Sequence, residues 1–157
     1  MGIPSKKRVN AMSNYQHILI AVDFTPETEQ ITQRGRELAQ QNGAKVSLVH
    51  VVEMDVPLYP SDLPLPGELD YGKRLLEYAE VSLKELAITH GLRDARRYVD
   101  AGSAKAVIVQ LAEDIGADLI ILGSHGRHGL QRLLGDTANG VLHRTPCDVL
   151  AVRIGAA

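Results

Sequence analysis

The chain alternates short, almost uninterrupted apolar runs with longer amphipathic segments. The apolar runs cover residues 17–23, 44–53, 117–123 and 147–154, and a more polar run, typical of a strand near a sheet edge, covers residues 95–102. Runs that are apolar at nearly every position are typical of strands covered on both faces, as in parallel sheets. Strands that alternate with helices pair in parallel through right-handed crossovers. We therefore predict an α/β fold, a single three-layer domain with an open parallel sheet.

The segments between the apolar runs carry signals for helix boundaries. Thr25 and Pro26 predict the start of the first helix, with the threonine as N-cap and the proline at the first helical position. Ser103 predicts the N-cap of the third helix. Three glycines predict the ends of the first three helices, namely Gly43, Gly91 and Gly116. The proline-rich residues 55–67 predict a long irregular loop, whose length favours a lid or a partner contact.

Length and charge limit the functions open to such a fold. A chain of 157 residues fits one domain, and we predict a flexible tail over residues 1–14 and the domain over residues 15–157. The net charge of -2 gives no electrostatic case for a nucleic-acid or membrane partner. No apolar run approaches the roughly 20 residues of a membrane helix. The single cysteine, Cys147, excludes an internal disulfide and favours a cytoplasmic location.

The segment GSHGRHGLQRLLGDTANGVL begins at Gly123, directly after the fourth apolar run. Ligands of open parallel sheets bind beyond the carboxyl ends of the strands, so this segment is a candidate site. Its glycines permit positive φ angles that turn successive N–H groups toward an anion, and His125 and Arg127 offer further donors. A glycine loop that only shapes the crossover is an equally open interpretation.

Two aspartates near these strand ends each have a ligand interpretation and a structural one. Asp23 ends the first apolar run, where a carboxylate binds ribose hydroxyls, helps to hold Mg²⁺, or caps the turn into the first helix. Asp136 begins the sequence Asp-Thr-Ala-Asn, which is typical of a helix with aspartate as N-cap. Such a cap would occupy N–H groups that a phosphate needs, and its charge would cost a polyphosphate about 1 kcal/mol or more. As a cap, Asp136 would also make Asp136→Ala cost about 1 kcal/mol of stability.

The other polar residues predict neither a metal site nor a catalytic site. His125, His128 and His143 lack the spacing of metal ligands. Ser124 and His125 are adjacent, and adjacent side chains generally point apart, so no nucleophile–base pair is evident. His50 lies in the second apolar run and is expected to be a hydrogen-bonded residue of the core or its rim.

Four segments together resemble the universal stress protein family. They are HILIAVDFTPET, AKVSLVHVVE, GADLIILGSHGRHG and CDVLAVRI, which occur in the family's order between Tyr15 and Ile154. The resemblance implies a five-stranded parallel sheet of order 3-2-1-4-5, as in adenine nucleotide alpha hydrolase-like domains. It also implies a cytoplasmic stress-response protein that forms a homodimer through its last strand, Cys147 to Ile154. The unpaired N–H and C=O groups of an edge strand favour such pairing.

Members of the family that bind ATP are similar to the pattern G-x2-G-x9-G-[S/T]. Gly123 and Gly126 match its first half, whereas eight residues rather than nine separate Gly126 from Gly135, and Asp136 replaces the serine or threonine. The resemblance implies a site for ATP, ADP or AMP, with or without Mg²⁺, and Asp136 favours AMP or ADP. It implies slow ATP hydrolysis or autophosphorylation at most. The alternative is an interaction protein that binds no nucleotide and whose glycine loop is structural.

The positions that match the family's nucleotide contacts lie at strand ends and at one helix start. By this resemblance Ala21, Val22 and Asp23 would contact adenine and ribose, and Val51 would lie beside the adenine. By the same resemblance Leu122 would flank the nucleotide, Gly123 and Gly126 would contact its phosphates, and Gly135 and Thr137 would lie near the phosphate tail. The other candidates beside the phosphates are His125, Arg127 and Asp136, which stands where the family has serine or threonine.

Overall fold

The computed structural model describes residues 14–53, 66–124 and 135–153, with only the backbone at residues 66–69. The strands are β1 (His17–Ala21), β2 (Lys45–Val52), β3 (Arg96–Ala101), β4 (Leu119–Gly123) and β5 (Asp148–Val152). The helices between them are α1 (Thr28–Asn42), α2 (Pro66–Thr89), α3 (Ala104–Ile115) and α4 (Asp136–Arg144). All neighbouring strands pair in parallel, in the order β3-β2-β1-β4-β5. The predicted α/β class and strand order are confirmed.

The helices cover the two faces of the sheet in pairs, which gives three layers. Alternate residues of β1 point to opposite faces, as the pleat of a strand requires. Ile18 and Ile20 belong to the apolar cluster beneath α1 and α2. Leu19 and Ala21 belong to the cluster beneath α3 and α4. Both clusters bury the strand residues almost completely, which explains why the central strands are apolar at nearly every position.

Helix α1 approaches the centre of the sheet at Gly35. A Cβ atom at this position would overlap Ile20 Cδ1, and would lie 2.8 Å from Ile20 Cγ1. Ile20 is fully buried in β1, so its side chain has little room to move aside. The glycine therefore lets α1 lie directly against the strand that leads into the candidate site.

Asp118, which precedes β4, ties the amino ends of β1 and β4 together. Its carboxylate accepts hydrogen bonds from the backbone N–H groups of Gln16 (2.9 Å) and His17 (3.0 Å). Tyr15 Oη donates to Asp148 Oδ2 at 2.7 Å, which joins the start of β1 to the start of β5. This hydrogen bond, partial burial and nearby negative charge raise the pKa of the Tyr15 phenol.

Helix α1 begins two residues later than predicted. The Thr28 N–H donates to Thr25 O at 3.0 Å, so Thr25 and Pro26 belong to a turn that precedes the helix. The hydroxyl of Thr25 bonds to Asp23 rather than to a helical N–H group, and the predicted cap is therefore wrong. Gly43 ends α1 in the left-handed conformation, as predicted.

Helix α3 is capped by a residue from another part of the chain. Ser103 occupies the predicted N-cap position but makes no side-chain cap hydrogen bond. The Ala104 N–H instead donates to Glu53 Oε1 at 3.0 Å. Because Glu53 directly follows β2, this bond joins the carboxyl end of β2 to the start of α3. Gly116 ends α3 in the left-handed conformation, as predicted.

Strands β3 and β5 form the two edges of the sheet. The more polar β3 was predicted near an edge, and this prediction is confirmed. None of the helices within the described ranges is long and apolar enough to cross a membrane. The predicted loop over residues 55–67 is two residues too long, because the helix α2 begins at Pro66. The rest of that loop and residues 1–13 of the predicted tail lie outside the described residues, so their roles stay predictions.

Candidate functional site

The two ends of the glycine-rich segment meet at the carboxyl end of β4. The Ser124 N–H donates to Val152 O at 2.9 Å, which extends the pairing of β4 with β5 by one residue. The Gly135 N–H donates to Ser124 O at 2.6 Å, so the start of α4 is tied to the end of β4. Gly123, the last residue of β4, is half-buried at this junction. The predicted contacts that lie outside the described residues are those of His125, Gly126 and Arg127.

Three residues predicted to contact the nucleotide belong to one apolar cluster. Ala21, Val51 and Leu122 belong to the cluster on the α3 and α4 face, which also contains Ala138. We call Ala21, Val51 and Leu122 the apolar shelf. Val51 is its most exposed member, because Ala21 and Leu122 are buried. The side chain of Val22 lies in the cluster on the opposite face, so the structure does not bring it to the shelf.

Asp23 follows β1, and only one of its two carboxylate oxygens accepts hydrogen bonds from the described residues. Oδ1 accepts hydrogen bonds from the Thr25 N–H (3.2 Å), the Thr25 hydroxyl (2.7 Å) and, at 3.5 Å, the Thr28 hydroxyl. The structural interpretation, a cap on the turn into the first helix, is therefore confirmed. Oδ2 has no hydrogen-bond partner within residues 14–53, 66–124 and 135–153. The side chain is half-buried, so Oδ2 still offers an acceptor to a ligand.

The residue after Asp23 adopts an uncommon backbone conformation and stacks on a buried histidine. Phe24 has φ 58°, and no other non-glycine residue in the described parts of the chain has a positive φ. Its ring stacks on the His50 ring, with centroids 4.1 Å apart and planes at 29°. His50 is buried and donates Nδ1–H to Val22 O at 2.8 Å, which confirms the predicted core role. This arrangement holds the backbone that carries Asp23.

The predicted N-cap role of Asp136 is wrong. Gly135 occupies the N-cap position, because its carbonyl accepts the first helical hydrogen bond, from Asn139 N–H at 2.9 Å. Asp136 is the first helical residue, and its side chain is 88% exposed. A side chain caps a helix from the position before the first helical residue, so the aspartate is one position too late.

Helix α4 consequently begins with N–H groups that have no acceptor within the described residues. The first N–H groups of an α-helix have no partner within the helix, and glycine has no side chain to cap them. No other side chain in the described part of the chain accepts a hydrogen bond from Asp136, Thr137 or Ala138 N–H. These groups and the positive end of the helix dipole form a place where an anion is favoured.

Ser124 adds a buried hydroxyl that sequence reasoning missed. It is 8% exposed, and Oγ has no hydrogen-bond partner within the described residues. A buried hydroxyl without a partner is costly, so its presence beside Gly135 needs a reason. Its signal in the sequence was weak, because a serine after Gly123 is also ordinary loop composition.

Two charged residues at the start of α3 were also missed. Lys105 Nζ lies 3.4 Å from Asp136 Oδ2, and the Lys105 side chain is 32% exposed. Glu53 caps α3 by accepting a hydrogen bond from the N–H of Ala104, the residue directly before Lys105. Sequence spacing does not indicate either contact, since 31 residues separate Lys105 from Asp136.

We expect the two carboxylates to differ in their effect on stability. Glu53→Ala should lower the free energy of unfolding by about 1 kcal/mol, because it removes the cap of α3. Asp136→Ala should lower it by less than about 0.5 kcal/mol, because an exposed ion pair contributes little. Urea denaturation of both variants measures the difference. A larger loss for Asp136→Ala would contradict the placement of Gly135 as the N-cap.

Metal ligands do not converge within the described residues. No group of three or more histidine, cysteine, aspartate or glutamate side chains in those ranges is arranged to hold a metal ion. His143 lies in the last turn of α4, at the opposite end of the helix from Gly135.

Comparisons with known proteins agree on one family. A model of the Universal stress protein family matches residues 14–153. Among relatives, universal stress protein A homolog 2 of Coxiella burnetii is 40% identical over 144 residues, which cover 91% of this chain and 98% of that protein.

Two solved structures share the architecture. A universal stress protein from Lactobacillus plantarum has a TM-score of 0.72 at 24% identity, covering 89% of this chain and 99% of that chain. A universal stress protein solved in complex with cAMP has a TM-score of 0.61 at 25% identity, covering 89% of this chain and 98% of that chain.

Proposed function

The chain belongs to the universal stress protein family, and on that premise we propose that it is a stress-response sensor or binding module with an adenine-nucleotide site. The site lies at the carboxyl edge of the sheet, between the ends of β1, β2 and β4 and the start of α4. A similar structure in complex with cAMP supports the ligand class.

The observation that carries this proposal is the set of donors without acceptors at the start of α4. Three backbone N–H groups and the buried Ser124 hydroxyl have no partner within the described residues. Buried or converging donors of this kind are satisfied by an anion, and phosphate supplies several oxygens at once. A phosphate at this position would therefore explain both the uncapped helix and the unpaired hydroxyl.

The apolar shelf and Asp23 would bind the other half of the ligand, the purine base and the ribose. A purine ring needs an apolar surface, and Val51 is the shelf residue that such a ring would contact, because Ala21 and Leu122 are buried. Asp23 Oδ2 would accept a hydrogen bond from a ribose hydroxyl while Oδ1 keeps the turn in place. The proposed ligand thus combines an apolar ring, a hydroxylated sugar and an anion.

The placement of Asp136 changes the expected phosphate length. An N-cap at this residue would have blocked the N–H groups, but its side chain is mostly in solvent and pairs with Lys105. ATP and ADP therefore remain candidate ligands beside AMP. Mg²⁺, where it is needed, would arrive with the phosphates.

Equilibrium dialysis of the purified protein with AMP, ADP and ATP, with and without Mg²⁺, tests the site. We expect a dissociation constant below about 1 mM for at least one nucleotide, which we take as the threshold for specific binding. Asp23→Asn should weaken binding about tenfold, because the amide nitrogen cannot accept a hydrogen bond from a ribose hydroxyl. The amide oxygen can still accept the hydrogen bonds from Thr25. Asp94→Asn, on the exposed turn before β3, is the matched control and should bind as the unmodified protein does.

Absence of binding at millimolar concentrations of all three nucleotides would overturn the nucleotide site. The protein would then be an interaction module in which the glycine loop is structural. If Asp23→Asn binds nucleotide as tightly as the control does, the nucleotide site would stand, but Asp23 would not be part of it.

We further propose that the protein is a cytoplasmic homodimer paired through β5. Four consecutive residues of this edge strand, Val149 to Val152, are only half-buried although all are apolar. An edge strand with free backbone groups and apolar side chains is suited to pairing with a second copy about a two-fold axis.

A further inference from the structure

Lys105 lies between the starts of α3 and α4, beside the free N–H groups described above. We propose that Lys105 selects the length of the phosphate tail: it pairs with Asp136 in the free protein and moves to the terminal phosphate of ADP or ATP. This inference rests on the proposed adenine-nucleotide site and adds to it a residue that decides among the nucleotides.

The distance between Lys105 and Asp136 places the ammonium at the start of α4. Lys105 Nζ lies 3.4 Å from Asp136 Oδ2. Since Asp136 is the first residue of α4 and has a short side chain, the ammonium lies within about one side-chain length of the free N–H groups. A phosphate bound to those N–H groups would therefore lie within reach of Nζ after a rotation of the lysine end.

The stem of Lys105 is held in place by α4. A Cβ atom at Gly140 would lie 2.5 Å from Lys105 Cδ and 3.0 Å from Lys105 Cβ, so the stem crosses the helix where a side chain is missing. Gly140 is four residues after Asp136 and hence on the same face of α4. The stem is thus packed while the ammonium faces the helix start, which lowers the entropy cost of holding the charge there.

Charge explains why the ammonium would change partners. Asp136 is 88% exposed, so water replaces Lys105 at little cost when their ion pair opens. A phosphate fixed by backbone donors and Ser124 is a stronger partner, because charge-assisted hydrogen bonds to a held anion are short and strong. The phosphate of AMP lies closer to the ribose and would reach the ammonium less well than the tail of ATP does.

Isothermal titration calorimetry of four proteins tests the proposal. Lys105→Met keeps the apolar stem against Gly140 and removes the charge; it should raise the dissociation constant of ATP about tenfold, and that of AMP by less than about twofold. Lys105→Arg keeps the charge and should bind ATP within about threefold of the unmodified protein. Lys84→Met, on the exposed side of α2 and so on the opposite face of the sheet, is the control and should bind both nucleotides unchanged.

Asp136→Asn gives an independent measurement of the same coupling. With Lys105 present, it should strengthen ATP binding about threefold, because it removes a competing partner and a repelling charge. With Lys105→Met, the gain should be larger, because the charge of Asp136 is then no longer neutralised. Additive effects of the two substitutions would show that the residues do not act on one phosphate.

The outcomes separate this inference from the proposed function. If the unmodified protein binds none of the nucleotides, both are overturned. If it binds ATP, and Lys105→Met weakens ATP and AMP equally or not at all, only the role of Lys105 is overturned. A thermal melt of each variant shows whether it is folded, and an unfolded Lys105→Met is replaced by Lys105→Gln under the same criteria.

Discussion

Replacement of Ile120 with alanine should lower the free energy of unfolding by about 2–5 kcal/mol. Ile120 lies in β4, between β1 and β5, and its side chain is fully buried in the cluster beneath α3 and α4. The substitution removes apolar contacts and leaves a cavity that the neighbouring strands cannot fill, because both are held by backbone hydrogen bonds. Chemical denaturation monitored by circular dichroism measures the change.

Ile88→Ala is the matched control for that substitution. Ile88 is an isoleucine on α2 with 46% of its surface exposed, and alanine is a better helix former. We expect its free energy of unfolding to change by less than about 0.5 kcal/mol. Similar losses for Ile120→Ala and Ile88→Ala would mean that the sheet is not the centre of the core.

Replacement of Ala151 with proline should weaken the proposed dimer about 100-fold and leave the protomer folded. The Ser124 N–H donates to Val152 O, so Val152 directs its backbone groups to β4, and Ala151 directs its own away from the sheet. A proline at 151 therefore removes no hydrogen bond to β4. In a symmetric pair of β5 strands it removes one donor from each protomer and leaves its acceptor unpaired.

Analytical ultracentrifugation across a range of concentrations measures this dissociation. Leu150→Pro is the control for position, because residue 150 faces β4 and a proline there breaks a hydrogen bond within the protomer. That variant should lose stability, whereas Ala151→Pro should unfold near the temperature of the unmodified protein. A dimer that survives Ala151→Pro with unchanged affinity would place the interface elsewhere.

The three layers followed from the apolar runs, because burial on both faces of a strand leaves little choice of residue, whereas the strand order was implied by the resemblance to the family. ILIA of β1 and LIIL of β4 are apolar throughout, and both strands lie inside the sheet rather than at its edges. The helix ends that glycine marks in the sequence were also predicted correctly. Gly43 and Gly116 both adopt the left-handed conformation, which other residues adopt at a cost.

Helix starts were predicted less well, since a capping side chain has competing partners. The Thr25 hydroxyl bonds to Asp23, and Glu53 caps α3 in place of Ser103. The choice between such partners depends on how strands and helices come together in space. Sequence spacing therefore indicated that Asp23 and Asp136 were polar groups at the right edge, but not what each one bonds.

The residues of the candidate site were likewise predicted only in part. The resemblance to the family predicted that Ala21, Val51 and Leu122 lie together, and the structure places them in one apolar cluster. Lys105 could not be predicted in this way, because α3 and α4 pack through an approach that depends on Gly140. Ser124 was visible in the sequence, but its burial with no hydrogen-bond partner among the described residues is a property of the folded chain.

The hydrogen bonds of Asp118 have a practical consequence for handling the protein. They hold Gln16 and His17 at the amino edge of the sheet, and strands of five residues span about 16 Å to the opposite edge. A purification tag or surface attachment placed ahead of Tyr15 would leave the proposed nucleotide site facing the solution. One placed after Val152 would begin beside Ser124, where it would crowd the proposed site, so immobilised binding assays should attach the chain by its amino end.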